Sequence, residues 1–138
     1  MDLVHFTEMG EICKEIGGME DLSRSDTKII DIGAGSGRVG RSLHKFGFTN
    51  IDGVDASEGL LEHARKMGSY NELRTFYLGN GSYPFEDHRE KYDMAVASGV
   101  WLAAHIPAVG VQEVVQAIRT GGLFVTAMRT IYYEHGND

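Results

Sequence analysis

Ile29-Ile30-Asp31-Ile32-Gly33-Ala34-Gly35-Ser36-Gly37-Arg38-Val39-Gly40 is the stretch on which the fold turns. A short apolar run that gives way to alternating glycines is what a buried parallel strand needs when it turns tightly into a helix. Glycine there lets the backbone pass close to a ligand and leaves the first amides of the helix pointing at it. The same turn answers for part of an unusual composition. The 138 residues hold 18 glycines and two prolines, roughly 13% glycine where about 7% is usual.

Outward from that turn the chain alternates short apolar runs with helical spacing. Before it, Phe6, Met9, Ile12, Cys13 and Ile16 recur at helical intervals and Gly17-Gly18 supplies a stop, which predicts a lead-in helix within residues 1–18. The first strand covers Lys28 to Ile32. The helix after the turn starts between Ser36 and Arg38, buries Val39, Leu43 and Phe46, and is capped by Gly47. Ile51 to Val54 is a second strand closed by Asp55, and Ser57 is placed to cap a helix carrying Leu60, Leu61, Ala64 and Met67. Leu73 to Leu78 reads as a third strand, followed by a loop from Gly79 to Pro84 and a charged stretch from Glu86 to Lys91. Met94 to Ala97 is a fourth strand. A helix near Gly110 to Arg119, with Val111, Val114, Val115 and Ile118 on one face, is expected to end at Gly121-Gly122 before a fifth strand, Leu123 to Met128. The pattern predicts one α/β domain over residues 1–138, with its core in 27–130, built as a Rossmann-like doubly wound parallel sheet of strand order 3-2-1-4-5.

Charge and cysteine content exclude several classes. Twenty acidic against thirteen basic side chains leave a net charge of −7, which repels a phosphate backbone, so nucleic acid is not an expected partner. One cysteine, Cys13, forms no internal disulfide, and without C-x-x-C or clustered Cys/His spacing no metal is expected. The segment Met94 to Val111 has the length of a membrane span but contains Ser98-Gly99, His105 and Pro107. It reads better as a strand and loop, so no membrane is expected and the expected compartment is the cytoplasm, with the nucleus also open.

Asp55 lies eighteen residues past Gly37, at the end of the next strand, where a carboxylate can accept both hydroxyls of a ribose. Two cofactor classes use such a layout. Gly35-Ser36-Gly37-Arg38-Val39-Gly40 satisfies the dinucleotide pattern G-x-G-x-x-G, which assigns Gly40 along with the other glycines to the ligand turn. Gly33-Ala34-Gly35-Ser36-Gly37 preceded by Asp31 resembles motif I of the class I S-adenosylmethionine-dependent methyltransferases. Asp31 separates the two. A carboxylate in an apolar strand costs desolvation unless it is paired; a bound ammonium would pair it, whereas a pyrophosphate would be repelled.

The resemblance to class I methyltransferases runs from about Thr27 to Thr130 and is carried further by Gly53-Val54-Asp55-Ala56-Ser57, Tyr92-Asp93-Met94-Ala95-Val96 and Gly121-Gly122-Leu123-Phe124-Val125. Within the class the chain is most similar to the Williams-Beuren syndrome region methyltransferase-like proteins. The resemblance implies S-adenosylmethionine as cofactor, with Asp31, Gly33, Ala34, Gly35 and Gly37 around its methionine portion, Asp55 at the ribose and Ala56 beside the adenine. Asn80 stands where the class often has an acid that accepts from the adenine amino group, and an amide oxygen also accepts. Gly79-Asn80-Gly81 serves equally as a plain turn. Ser98 ends the fourth strand, where the methyl group would meet its acceptor.

His105 is the base candidate by position, though a histidine in an apolar loop also serves for packing or capping. His44 and His63 belong to solvated helix surfaces. Trp101, Tyr132 and Tyr133 are candidate walls of an acceptor pocket. No Asn-Pro-Pro-Tyr or Asp-Pro-Pro-Tyr follows the fourth strand, where the chain has Ala97-Ser98-Gly99-Val100-Trp101, which disfavours base amino groups as acceptors. The expected acceptor is a small molecule or a protein side chain.

The class I sheet ordinarily continues past its fifth strand, and only Arg129 to Asp138 remain. The usual last two strands are therefore expected to be missing, leaving a truncated fold whose fifth-strand edge pairs in a homodimer or with a covering partner. Two other readings stay open. One is a non-catalytic module that binds S-adenosylmethionine or a partner; the other is a nicotinamide oxidoreductase.

Overall fold

The computed structural model describes residues 24–79, 90–98 and 108–127. Ile29–Ile32 (β1), Ile51–Asp55 (β2), Glu72–Thr75 (β3), Tyr92–Ser98 (β4) and Ile118–Ala127 (β5) form one sheet of order β3-β2-β1-β4-β5. All four pairings are parallel, so topology and order are those expected. The chain winds outward from β1 through β2 to β3 and resumes on the other side of β1 with β4. Such a reversal opens a crevice at the carboxyl ends of the strands, where open α/β sheets bind ligands.

Three described helices cover the sheet: Arg38–Lys45 (α1), Glu58–Met67 (α2) and Ala108–Ala117 (α3). On one face Ile29, Ile51, Met94 and Val96 pack with Val39 and Leu43 of α1 and with Phe48. On the other, Ile30, Ile32, Val54, Ala95 and Ala97 pack with Phe76 and with Val114 and Ala117 of α3. Burial on both faces is why the strands read as continuous apolar runs rather than as alternation.

The helix ends obey local chemistry. Ser57 caps α2, its hydroxyl accepting the Leu60 amide at 3.3 Å. Gly47 follows α1 at φ +95° and donates to the His44 carbonyl. In α2 the buried residues are Leu61 and Ala64, whereas Leu60 and Met67 of the expected apolar face are exposed. Phe46, expected on the buried face of α1, is only partly buried, and Gly40 takes its place in that face.

Two boundaries differ from expectation for physical reasons. β3 stops at Thr75, where pairing with Asp55, the last residue of β2, stops. Gly121-Gly122 does not end a helix: α3 ends at Ala117 and both glycines lie within β5. There Tyr92 pairs with Ile118 but Met94 pairs with Leu123, so β5 carries extra residues as a bulge. Gly121 sits at φ +81° in that bulge. A Cβ on Gly122 would come within 2.3 Å of Ile118 Cγ2 and 2.8 Å of the Asp93 carbonyl oxygen. Arg119 Nε, donating to Asp93 Oδ1 at 2.6 Å, holds the excursion against β4.

The lead-in helix expected within 1–18, most of the loop after β3 and the chain beyond 127 lie outside the described residues. Among the described residues no helix is long and apolar enough to cross a membrane, and no cluster of His, Cys, Asp or Glu is set to hold a metal ion.

Candidate functional site

Three left-handed glycines shape the turn after β1: Gly33 at φ +76°, Gly35 at +55° and Gly37 at +96°. Side chains rarely adopt that conformation, which accounts for their alternation in the sequence. The turn is fastened to the end of β2, because the Gly33 and Ala34 amides both donate to the Val54 carbonyl at 2.9 Å. Gly37 is also the N-cap of α1 and contributes no side-chain hydrogen bond. A Cβ there would press on Ala64 of α2 at 3.1 Å.

Asp55, half-buried at the end of β2, faces this turn. Its Oδ2 accepts the Gly35 amide at 2.9 Å and its Oδ1 accepts the Ser57 amide at 2.8 Å. Two backbone donors thus orient the carboxylate, and each oxygen retains a further lone pair for hydroxyl donors. Ala56, next in the chain, is exposed beside it.

Asp31 is fully buried in β1, flanked in register by Gly53 of β2 and Val96 of β4. The Tyr70 hydroxyl donates to its Oδ2 at 2.6 Å, while Oδ1 has no hydrogen-bond partner. Burial pushes the Asp31 carboxyl up to about 7; the Tyr70 hydrogen bond opposes that shift and the neighbouring Asp55 charge adds to it. Tyr70 itself is held protonated, pushed well above the ordinary tyrosine range by burial and by the Asp31 charge.

Sequence reasoning missed Tyr70, yet it left two marks. Gly40 lies inside a helix and Gly53 inside a strand, and such glycines signal close approach by another group. A Cβ on Gly40 would stand 2.3 Å from Tyr70 Cζ, and one on Gly53 would stand 3.0 Å from Tyr70 Cε1. Gly40 is therefore no part of the ligand turn; it makes room for the phenol, and its amide donates to the Tyr70 oxygen at 3.0 Å. Glu113 was missed as well. Buried on α3, it accepts the Gly79 amide at 2.7 Å and so anchors the chain just before Asn80.

Of the expected site residues, Asp31, Gly33, Ala34, Gly35, Gly37, Asp55 and Ala56 come together at the carboxyl ends of β1 and β2. Ser98 ends β4 as expected, but its side chain lies outside what is described. Asn80, Gly81 and His105 are outside the described residues, as are Trp101, Tyr132 and Tyr133. His44 and His63 are exposed on α1 and α2, as expected.

The geometry discriminates between the two cofactor frames. An unsatisfied, buried carboxylate oxygen demands a donor, and a cationic donor most of all. An ammonium fits that demand, and the spare lone pairs of the Asp55 carboxylate can accept hydroxyl donors. A pyrophosphate would meet only repulsion from Asp31.

Comparison with known proteins agrees. The model of a family described as methyltransferase domain matches residues 30–126. Human methyltransferase-like protein 27 is 30% identical over 102 residues, which cover 74% of this chain and 40% of that protein. The ribosomal protein L11 methyltransferase of Staphylococcus aureus is 26% identical over 99 residues, 72% of this chain and 31% of that protein. The chain thus spans well under half the length of these curated relatives. The crystal structure of an S-adenosylmethionine-dependent methyltransferase from Mesorhizobium loti superposes with a TM-score of 0.66 at 26% identity, covering 91% of this chain and 55% of that one.

Proposed function

Because the chain belongs to the methyltransferase-domain family, whose cofactor is S-adenosylmethionine, we propose that it transfers the cofactor's methyl group to a small molecule or a protein side chain. The buried Asp31 carboxylate of β1, with Oδ1 left without a partner two residues before the glycine turn, carries this reading. When bound, the cofactor supplies an electrophilic methyl group on a sulfonium sulfur, open to direct displacement by an acceptor lone pair.

The chain's own residues supply binding and alignment, which is most of what such a displacement needs. Asp31 Oδ1 accepts the ammonium. The left-handed glycines keep the turn free of side chains, so the backbone can lie against the methionine portion. Asp55, already oriented by the Gly35 and Ser57 amides, accepts the ribose hydroxyls, and Ala56 flanks the adenine. Glu113 holds the Gly79 amide, and in this reading Asn80 and Gly81, next in the sequence, meet the adenine. Ser98 stands at the methyl-transfer end of β4, and His105 takes the proton of an acceptor hydroxyl or ammonium.

Radiolabelled S-adenosylmethionine incubated with the chain over panels of small-molecule and protein acceptors tests transfer. The expected result is label in an acceptor, reduced by His105→Ala. Tight cofactor binding with no labelled acceptor favours instead the module that binds without transferring.

A further inference from the structure

The oxygen of Tyr70 stands between two groups that would each be unsatisfied without it. Gly40 is the third residue of α1, one of the first-turn amides that have no partner within a helix. The residue before a helix commonly supplies that acceptor from its side chain, but here it is Gly37, which has none. Tyr70 supplies it from 30 residues away, accepting the Gly40 amide at 3.0 Å while donating to Asp31 Oδ2 at 2.6 Å. An amide at the positive end of a helix thus polarises the phenol that donates to a buried carboxylate, and hydrogen bonds in such a chain strengthen one another.

Resting on the methyltransferase reading above, we propose that Tyr70 is a positioning residue for the cofactor. Its hydroxyl ties Asp31 Oδ2 to the first turn of α1, and so turns the free Oδ1, in its ionised form, toward the cofactor ammonium. Among the described residues, three elements bear on Asp31. β2 brings Gly53 and the repelling Asp55 carboxylate, β4 brings apolar Met94 and Val96, and α1 brings the Gly40 amide through Tyr70. Tyr70 is thus the one hydrogen-bond donor to the Asp31 carboxylate among the described residues, and an ammonium would be the second.

The test compares S-adenosylhomocysteine, which carries the ammonium, with methylthioadenosine, which keeps the adenosine and lacks the amino acid. Calorimetry from pH 5.5 to 8.5 on the full chain should show S-adenosylhomocysteine binding more tightly as pH rises, with methylthioadenosine nearly flat. Tyr70→Phe should weaken S-adenosylhomocysteine about tenfold at neutral pH, move its midpoint to higher pH, and leave methylthioadenosine unchanged. Equal weakening of both ligands with an unmoved midpoint would make Tyr70 a packing residue and overturn the proposal. If the wild type binds both ligands alike at every pH, the proposal also falls while an adenosine site stands. If it binds neither, the methyltransferase reading fails and takes the proposal with it. Should Tyr70→Phe not fold, 3-fluorotyrosine at position 70 keeps the hydroxyl and makes it a stronger donor. It should move the midpoint to lower pH, and an unmoved midpoint overturns the proposal.

Discussion

Asp55 Oδ2 accepts the Gly35 amide at 2.9 Å, so the acid that closes β2 is fastened to the turn that follows β1. The two residues are twenty positions apart, and parallel pairing of β1 with β2 brings their strand ends side by side. One hydrogen bond thereby fixes both the shape of the turn and the direction of the carboxylate.

Asp55→Ala removes the fastener of the turn and, with it, the proposed acceptor for the ribose. Loss of hydrogen bonds to a charged acceptor costs about 1.5–3 kcal/mol, so S-adenosylhomocysteine should bind at least tenfold more weakly. Asp55→Asn keeps one acceptor oxygen and should lose less. Calorimetric titration of the three proteins gives the order directly.

Gly40→Ala would ordinarily favour a helix by up to about 1 kcal/mol. Here the new Cβ would stand 2.3 Å from Tyr70 Cζ and 2.5 Å from its hydroxyl oxygen, and overpacking of this kind costs about 1–3 kcal/mol. Urea denaturation should show the variant destabilised in the wild-type background. In a Tyr70→Ala background the same substitution should be neutral or stabilising, since the obstacle is gone.

The raised Asp31 carboxyl sets a pH dependence with a definite sign. In the folded chain it holds its proton up to about pH 7, whereas unfolded it releases that proton near 3.8. Between those values the folded state binds more protons, so this residue's contribution to stability is greatest at or below pH 4 and is lost as pH rises toward 7. Asp31→Asn should flatten that part of the profile, measured as urea midpoints at pH 5 and pH 8. Stabilisation by S-adenosylhomocysteine should run the opposite way, growing with pH as the carboxylate ionises.

Glu113→Ala leaves the partly buried Gly79 amide without the acceptor it has at 2.7 Å. A lost partner of this kind costs about 1–3 kcal/mol, and the chain entering Asn80 loses its anchor on α3. Hydrogen exchange should show faster exchange at Gly79, while amides of β1 keep their protection.

Much of this arrangement was legible in the sequence because it rests on short-range signals. Apolar runs closed by glycines or by an acid marked four strands to within a few residues, and Ser57 announced the start of α2. Asp31 stood out as an acid inside an apolar strand, and Asp55 as an acid at a strand end. Tyr70 was not legible because its partners, Asp31 and Gly40, are 39 and 30 residues away and meet it only after the sheet has formed. Gly121-Gly122 misled for a related reason. After an amphipathic run a glycine pair looks like a helix end, and only the pairing of Arg119 with Asp93 across β4 shows it to be a bulge.

Calorimetric titration of S-adenosylmethionine, S-adenosylhomocysteine and NAD into the wild-type chain and Asp31→Asn tests the cofactor site most directly. The two adenosyl amino acids should bind the wild type and bind Asp31→Asn at least tenfold more weakly, a loss of about 1.5–3 kcal/mol for a charge-assisted contact, with no heat from NAD. A folded wild type that binds NAD, or that binds none of the three, would contradict the assignment.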